Sequence, residues 1–254
     1  MPRVLILGGT AEARRLAGRL ASRADLEVTL SLAGRTASPA PQPVPVRIGG
    51  FGGAEGLADY LGRERIDVLI DATHPYAAVI SANALAAARK VAVPIVALRR
   101  APWTPVAGDR WTEVGSVPEA VAALGEAPRR VLVTLGRSEL DPFVAAPQHY
   151  YLIRSVDPVE PPLAVPHARY LTGRGPFAEA DERALLAAQR IERIVAKNSG
   201  GTATHGKIVA ARALGVDVIM LRRPVVPEAA AVENVEDAVA WLDHALTPAA
   251  ARGV

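Results

Sequence analysis

The amino-acid sequence predicts an α/β protein with two tandem Rossmann-like domains, each built on a parallel sheet. Short runs rich in β-branched residues alternate with longer amphipathic runs, and the alternation resumes after a proline- and glycine-containing break at Arg100–Asp109. The length of 254 residues is sufficient for two domains of modest size. We therefore expect a first domain at 1–100 and a second at 101–254, with a ligand cleft between them.

Five strands and three helices are expected in the first domain. The strands are Arg3–Leu7, Glu27–Leu32, Val44–Ile48, Asp67–Asp71 and Pro94–Arg99. The helices are Ala11–Ala24, Ala54–Glu64 and Tyr76–Lys90. Leu16 and Leu20 lie one turn apart in the first helix with arginines beside them, as in a helix with one buried face.

The second domain is expected to repeat this organisation with five strands and five helices. The strands are Trp111–Val114, Val131–Thr134, Tyr150–Arg154, Ile194–Lys197 and Asp217–Leu221. The helices are Val117–Leu124, Ser138–Ala145, Ala180–Glu192, Thr204–Leu214 and Val235–Leu246. Asp157–Pro166 contains four prolines and is expected to be an irregular surface segment.

Composition excludes several classes of protein and site. Charged residues make up 22% and apolar residues 50% of the chain, which is typical of a globular enzyme rather than a disordered chain. The absence of cysteine excludes disulfides, thiolate zinc sites and cysteine nucleophiles. Four of the five histidines are not spaced as metal ligands: His149, His167, His205 and His244. No metal site is therefore predicted.

Charge and hydropathy also restrict the partners and the location. The first hundred residues carry 13 basic and 8 acidic side chains, which suits an anionic ligand, but basic clusters with interleaved aromatics are lacking. We therefore expect no nucleic-acid partner. The apolar runs are too short to span a bilayer and no signal peptide is recognisable, so a cytoplasmic protein without membrane contact is expected. A monomer is compatible with this composition.

The first strand is followed by a glycine turn that runs directly into a helix. Its sequence is Gly8-Gly9-Thr10-Ala11-Glu12. Glycines permit a sharp turn and a close approach of the backbone, and the helix N-terminus offers amides to a phosphate. The fingerprint G-x-G-x-x-G is incomplete, so a tight turn with Glu12 complementing the helix dipole is the alternative.

The loops after the second and third strands indicate which dinucleotide is bound. An acidic residue that would hold the ribose 2′-hydroxyl of NAD is missing after the second strand, where Arg35 and Thr36 stand instead. An arginine suits the 2′-phosphate of NADP, although a solvated surface arginine is the alternative. Gly50 belongs to a glycine-rich loop after the third strand that could approach the cofactor closely, and a flexible loop tip is the alternative.

The fourth strand is followed by Asp71-Ala72-Thr73-His74-Pro75-Tyr76-Ala77. Pro75 suits a first helical position, with Thr73 or His74 as the cap. His74 could donate to a phosphate or a substrate carboxylate, and it could exchange a proton near neutral pH. A capping or positioning role is the alternative for this histidine.

Together these segments resemble the precorrin-6A reductase family of cobalamin biosynthesis. The resemblance rests on Ile6–Ala13, Asp71–Ala77, Lys197–Gly201 and Arg222–Pro224, and it covers nearly the whole chain. It implies two Rossmann-like domains with NADPH in the cleft. It also implies hydride transfer from NADPH to a double bond of the precorrin-6A macrocycle, with a proton added to the neighbouring carbon to give precorrin-6B.

Two loops of the second domain complete the predicted site. Thr134, Gly136 and Arg137 lie at a strand-to-turn junction whose amides could bind the cofactor or an acidic substrate. The second loop supplies further cofactor candidates: Asn198, Ser199, Gly200, Gly201 and Thr202. The Asn198 amide has the donor and the acceptor that a nicotinamide carboxamide requires. Lys207 is expected to contact the cofactor or a substrate carboxylate, with a solvated helix residue as the alternative.

Several alternatives stay open from sequence. The proton donor could be water, a substrate carboxylate, His74 or Lys207. Substrate carboxylates could be bound by any of four arginines: Arg100, Arg137, Arg154 and Arg174. A non-catalytic NADP sensor is a second functional class. A phosphate-handling enzyme built on Gly201–Lys207 is a third, but Ile208 stands where a P-loop needs serine or threonine.

Overall fold

The computed structural model describes residues 1–34, 40–226 and 229–247 of the chain. It contains two compact units, and each unit has a six-stranded sheet whose strand pairs are parallel. Unit 1 consists of Met1–Ala101 together with the segment that begins at Pro224, and unit 2 is Pro102–Arg223. The predicted α/β class with two parallel sheets is confirmed.

The first part of unit 1 alternates strands and helices from its start. In chain order these are β1 (Arg3–Leu7), α1 (Ala11–Leu20), β2 (Glu27–Leu32), β3 (Val46–Ile48), α2 (Gly53–Arg63), β4 (Val68–Asp71), α3 (Ala78–Lys90) and β5 (Ile95–Leu98). In β1, Val4 and Ile6 face the core beneath α1, whereas Leu5 and Leu7 face the core beneath α2 and α3. Burial on both faces explains why the strand is a continuous apolar run.

Unit 2 follows with its own set of strands and helices. They are β6 (Trp111–Val114), α4 (Val117–Ala122), β7 (Arg130–Val133), β8 (Tyr150–Ser155), β9 (Ala168–Thr172), α5 (Glu179–Ala188), β10 (Arg193–Lys197), α6 (Gly206–Leu214) and β11 (Asp217–Leu221). The core between the sheet and helices α5 and α6 contains Leu152, Ile194, Leu186 and Ile208.

The C-terminal segment returns to unit 1, which differs from the expected second domain at 101–254. It contains β12 (Ala231–Val232) and α7 (Val235–Leu246). β12 pairs with β5, and α7 buries Val235, Ala238 and Leu242 in the core beneath α1. A strand of two residues has no readable hydropathy pattern, so the sequence shows no signal that the chain changes unit.

The strand order of both sheets reverses at one point. Unit 1 has the order β3-β2-β1-β4-β5-β12, which reverses between β1 and β4. Unit 2 has the order β9-β8-β7-β10-β11-β6, which reverses between β7 and β10. Ligands of open parallel sheets bind beyond the carboxyl ends of the strands at such a reversal. The loops after β1, β4, β7 and β10 are therefore the places to look for a site.

Several predicted element bounds need correction. Ser138–Ala145 is not a helix but two 3-10 turns, Arg137–Glu139 and Asp141–Ala145, because Pro142 lacks the amide hydrogen that a continuous helix requires. The strand β9 was not expected; it lies at the sheet edge, and none of its residues is fully buried. Helix α3 begins at Ala78 rather than at Tyr76, and Pro75 lies in a turn before it.

Candidate functional site

The start of α1 lies at the reversal of the unit 1 sheet. Thr10 is the N-cap of this helix, and its hydroxyl accepts a hydrogen bond from the Ala13 amide at 3.0 Å. The same hydroxyl donates to the carbonyl oxygen of Ala72 at 2.8 Å, directly after β4. Thr10 therefore joins the start of α1, which follows β1, to the end of β4, and β1 and β4 are the strands that flank the reversal.

Four consecutive backbone amides at the start of α1 have no acceptor among the residues that the structure describes. They belong to Gly9, Thr10, Ala11 and Glu12. The preceding amide, that of Gly8, donates instead to the Ser31 carbonyl at 2.9 Å. Free amides at a helix N-terminus act together with the helix dipole to favour a bound phosphate. This loop can therefore hold a phosphate through its backbone.

Two glycines of this loop are favoured for different reasons. A Cβ on Gly8 would lie 2.6 Å from Cδ1 of Leu30, so a larger residue here would require the buried Leu30 side chain to shift. Gly9 has a φ of +110°, which side chains of L-amino acids rarely adopt. The first glycine thus serves packing and the second serves the turn that presents the amides.

Glu12 is a buried acid in the first turn of α1. Its side chain accepts from Arg15 at 3.3 Å and forms a second ion pair with Arg100, so two guanidinium groups compensate its charge. The pairing goes beyond the expected complement to the helix dipole. It also means that Arg100, a candidate for a substrate carboxylate, is held by Glu12 in this structure.

The end of β4 carries a buried carboxylate that the sequence argument did not assign. Asp71 is 2% exposed and accepts from the amide of Thr73 at 3.1 Å and from its hydroxyl at 2.6 Å. Arg99 of the same unit donates to the other carboxylate oxygen at 3.2 Å. Asp71 therefore fixes the path of the loop that carries Thr73 and His74.

The His74 loop differs from its predicted capping role. Neither Thr73 nor His74 caps α3, because the cap residue is Ala77 and has no side-chain bond to the helix. The Tyr76 amide instead donates to Nδ1 of His74 at 3.3 Å. A nitrogen that accepts a hydrogen bond carries no proton, so a neutral imidazole in this geometry has its proton on Nε2.

The loops after β2 and β3 contain the remaining unit 1 candidates. Arg35 and Thr36 lie outside the described residues. A Cβ added to Gly50 would meet no atom of the described structure within 4 Å, so the surface of this loop is open. The open surface is consistent with a ligand beside Gly50.

In the corresponding turn of unit 2, after β7, a backbone amide is hydrogen-bonded to a side chain of the same turn. The Gly136 amide donates to Oε2 of Glu139 at 3.0 Å, and the same carboxylate pairs with Lys197 of β10. Arg137 donates to the Pro158 carbonyl at 3.3 Å, and the Thr134 hydroxyl donates to the Val195 carbonyl at 3.3 Å. An internal carboxylate therefore occupies the position that a phosphate would take on this turn.

The side chain of Asn198 is engaged with the first residues of unit 2. Its Oδ1 accepts from the Trp103 amide at 2.8 Å, and its Nδ2 donates to the Trp103 carbonyl at 2.8 Å. The indole of Trp103 donates in turn to the Gly201 carbonyl at 2.8 Å. The donor and acceptor expected to bind a nicotinamide carboxamide thus bind Trp103 in this structure.

The other residues of this loop are arranged around two glycines in the left-handed region. Gly200 and Gly201 both have a φ of +67°. The guanidinium of Arg223 donates to the carbonyls of Asn198 at 2.9 Å and of Ser199 at 3.0 Å. Thr202 is exposed. Arg223 therefore holds the backbone of this loop through two of its carbonyls, and Thr202 lies on the exposed surface of the loop.

Lys207 is not the solvated helix residue that the alternative reading expected. It is 4% exposed, its amine donates to the Thr204 carbonyl at 2.8 Å, and Nζ lies 5.2 Å from the centre of the Trp103 ring. Burial is the main cause that lowers the pKa of Lys207 to about 7, and the positive charge of Arg154 acts in the same direction. The amine can therefore exist in both protonation states near neutral pH.

A buried ion pair lies in the same unit. Arg154 of β8 and Glu182 of α5 form a two-pronged pair, with one bond of 3.0 Å, and both side chains are almost completely buried. The guanidinium also stacks on the Phe177 ring at 4.0 Å. Because its guanidinium donates to Glu182, Arg154 has a structural role here and is not directed at a substrate carboxylate, as the sequence had allowed.

Three residues of the site region were missed from sequence. Asp71 and Glu139 each had a readable signal: an acid that ends an apolar strand, and an acid three residues after a turn glycine as in a capping box. Trp103 had none, because its partners Asn198 and Gly201 lie almost a hundred residues away in the chain.

In the described ranges 1–34, 40–226 and 229–247, no three His, Asp or Glu side chains are grouped so as to hold a metal ion. The helices within these ranges are all too short or too polar to cross a membrane.

Comparisons with known proteins agree with this architecture. Residues 3–243 match the family described as Precorrin-6x reductase CbiJ/CobK. A precorrin-6A reductase of Sinorhizobium sp is 56% identical over 248 residues, which cover 98% of this chain and 95% of that protein. A cobalt-precorrin-6A reductase of Priestia megaterium is 29% identical over 96% of this chain and 97% of that protein. A solved structure titled CobK precorrin-6A reductase covers both chains completely, with 50% identity and a TM-score of 0.94. The chain therefore belongs to the precorrin-6x reductase CbiJ/CobK family of oxidoreductases.

Proposed function

We propose that this protein is an NADPH-dependent reductase that converts precorrin-6A to precorrin-6B. NADPH, when bound, supplies a hydride to one carbon of a macrocycle double bond, and a proton adds to the neighbouring carbon. The higher identity to the relative named for precorrin-6A, 56% against 29% for the one named for cobalt-precorrin-6A, supports the cobalt-free substrate.

The observation that carries the cofactor proposal is the row of amides at the start of α1. The amides of Gly9, Thr10, Ala11 and Glu12 are available to the pyrophosphate of a dinucleotide. Gly8 and Gly9 allow the backbone to take this shape, and Thr10 fixes it to the end of β4. The pairing of Glu12 with Arg100 and Arg15 reduces the repulsion between its carboxylate and a bound phosphate.

Unit 2 is proposed to serve the substrate rather than a second dinucleotide. Its equivalent turn amide, that of Gly136, already binds Glu139. Exposed Arg137 and Arg174 remain suited to an acidic macrocycle, which carries acetate and propionate arms. We assign Ser199, Gly200, Gly201 and Thr202 to contacts with the ligands through the loop surface, and Asn198 to holding that loop.

The proton is proposed to come from His74 or Lys207. The Tyr76 amide binds Nδ1 of His74, so any proton that His74 donates comes from Nε2. Lys207 has a pKa lowered to about 7 by burial, which makes its ammonium a stronger acid than an exposed lysine. Substituting each residue separately distinguishes them, because only the true donor controls the alkaline limb of the pH–rate profile, where the donor loses its proton.

The two other function classes receive little support. In the P-loop alternative the lysine amine must be directed at a phosphate, but the Lys207 amine donates to Thr204 of its own loop. Ile208 is fully buried at the position that would bind magnesium through a hydroxyl. A non-catalytic NADP sensor would bind NADPH and leave it unconsumed, which the following experiment decides.

The test is to mix the protein anaerobically with precorrin-6A and either NADPH or NADH and to follow the loss of reduced-nicotinamide absorbance. We expect NADPH oxidation in proportion to precorrin-6A added, and much slower oxidation of NADH. A Gly9→Val variant, which forces a β-branched residue into a φ of +110°, should lose this activity. Binding of NADPH without oxidation would support the sensor, and no binding of either nucleotide would refute both readings.

A further inference from the structure

Arg47 lies on β3 at the edge of the unit 1 sheet, next to the end of β2. It pairs in register with Ser31 of β2. Its guanidinium donates to the Gly49 carbonyl at 2.6 Å and to the Gly50 carbonyl at 2.7 Å, and Nη1 lies 3.4 Å from the Ser31 hydroxyl. One side chain therefore binds the end of β2 and both glycine carbonyls of the loop that follows β3.

The plane of this guanidinium is fixed by aromatic rings. Its central carbon lies 3.8 Å from the centre of the Phe51 ring and 5.1 Å from that of Tyr60. The two rings pack edge to face against each other at 5.2 Å. Stacking of this kind and the two carbonyl bonds leave the group little freedom to turn away from the carboxyl end of the sheet.

The charge of Arg47 has no carboxylate partner in the described part of the chain. Its hydrogen-bond acceptors are carbonyl and hydroxyl oxygens, which are neutral. Arg99 and Arg100 of the same unit, in contrast, are each paired with a carboxylate. A net positive charge is therefore held beside the end of β2, where a Rossmann-like sheet receives the adenosine ribose.

From this arrangement we infer that Arg47 is a specificity-determining residue that favours NADPH over NADH. This inference rests on the proposed function, because it assigns Arg47 to the 2′-phosphate end of the proposed cofactor site. Arg47 acts in two ways. Its hydrogen bonds engage the Gly49 and Gly50 carbonyl oxygens, which would otherwise repel a bound phosphate. Its guanidinium also adds positive charge where we place the 2′-phosphate.

The test measures binding of two adenosine ligands that differ only by the 2′-phosphate. Adenosine 2′,5′-bisphosphate and adenosine 5′-monophosphate are titrated calorimetrically into the full chain. The proteins are the wild type, Arg47→Met, which keeps the side-chain stem, and Arg47→Lys, which keeps the charge. Arg63→Met is the matched control, because Arg63 also stacks on Tyr60, at 5.5 Å, but lies in the last turn of α2.

We expect Arg47→Met to lower the affinity for the bisphosphate by roughly tenfold and the affinity for the monophosphate by less than about twofold. This is the effect expected when one charge is lost a few ångströms from a phosphate. Arg47→Lys should keep most of the preference, and Arg63→Met should keep all of it. The wild-type preference should also shrink as salt is added, since the charges are partly exposed.

Two results would overturn the inference while leaving the proposed function intact. An equal loss of affinity for both ligands in Arg47→Met would show that Arg47 only supports the loop. An unchanged preference in that variant would show that the 2′-phosphate is read elsewhere. If the wild type bound neither ligand and also failed to bind NADPH, both the inference and the proposed cofactor site would be wrong.

Discussion

The side-chain amide of Asn198 and the backbone of Trp103 form a reciprocal pair of hydrogen bonds, each 2.8 Å long. Asn198 lies directly after β10, and Trp103 lies in the first residues of unit 2, before β6. With the bond from the indole to the Gly201 carbonyl, the pair fixes the loop at the reversal of the unit 2 sheet. Asn198 thereby becomes a structural residue of that loop.

We predict that Asn198→Asp destabilises the protein by about 1–3 kcal/mol, since it replaces a buried donor by a carboxylate oxygen that faces the Trp103 carbonyl. Asn198→Ala, which removes both bonds, should be destabilising to a similar extent. Urea unfolding followed by circular dichroism measures the change, with exposed Thr202→Ala as the control in the same loop. Unfolding free energies of the Asn198 variants equal to that of the control would contradict this role.

Lys207→Met should separate stability from activity. The substitution removes an amine whose pKa is already lowered to about 7 by burial and replaces it with an apolar chain of similar length. We expect the melting temperature at neutral pH to be unchanged or higher, because no charge remains to be buried. We expect kcat to fall if Lys207 supplies the proton. An unaltered kcat and pH profile in this variant would exclude Lys207 as the donor.

The Arg154–Glu182 pair offers a double-mutant test. Removing one partner leaves the other buried and unpaired, so Arg154→Met and Glu182→Leu should each cost about 3–5 kcal/mol. The double variant should be less destabilised than the sum of the two, because neither charge then remains. Denaturant unfolding of the four proteins gives the coupling energy. Simple additivity would mean that the pair does not interact as the two-pronged contact indicates.

Acid should destabilise unit 2 through His149. This side chain is fully buried, and burial lowers its pKa below the ordinary value of 6.5. The unfolded chain therefore takes up the proton first, and stability is lost as the pH falls from about 6.5 through the lower folded value. Melting temperatures between pH 8 and pH 5 should drop less in a His149→Gln variant than in the wild type. Exposed His244→Gln serves as the control.

The sequence was sufficient for the fold class because both sheets are assembled from buried, parallel strands. The central strands are continuous apolar runs, and β1, β11 and α7 have the predicted bounds. The residues that escaped prediction have weak local signals. β12 is two residues long and β9 is an edge strand, so neither has a clear hydropathy pattern.

The candidate site was predictable where its chemistry is carried by the backbone. Glycines before a helix indicate free amides whatever the surroundings, so Gly9 and Thr10 could be assigned from sequence. The side chains were less predictable, because their roles depend on distant partners. Asn198 was assigned to a ligand but binds Trp103, and Lys207 is buried beneath the same ring.

The most direct test of the central claim follows the two hydrogen atoms added to precorrin-6A. The protein is incubated anaerobically with precorrin-6A and NADPH fully deuterated at C4 of the nicotinamide, and the product is analysed by mass spectrometry. We predict one deuterium per product molecule from the cofactor and, with unlabelled NADPH in heavy water, one non-exchangeable deuterium from the solvent. A product without cofactor-derived deuterium, or precorrin-6A recovered unchanged, would contradict the proposed reductase function.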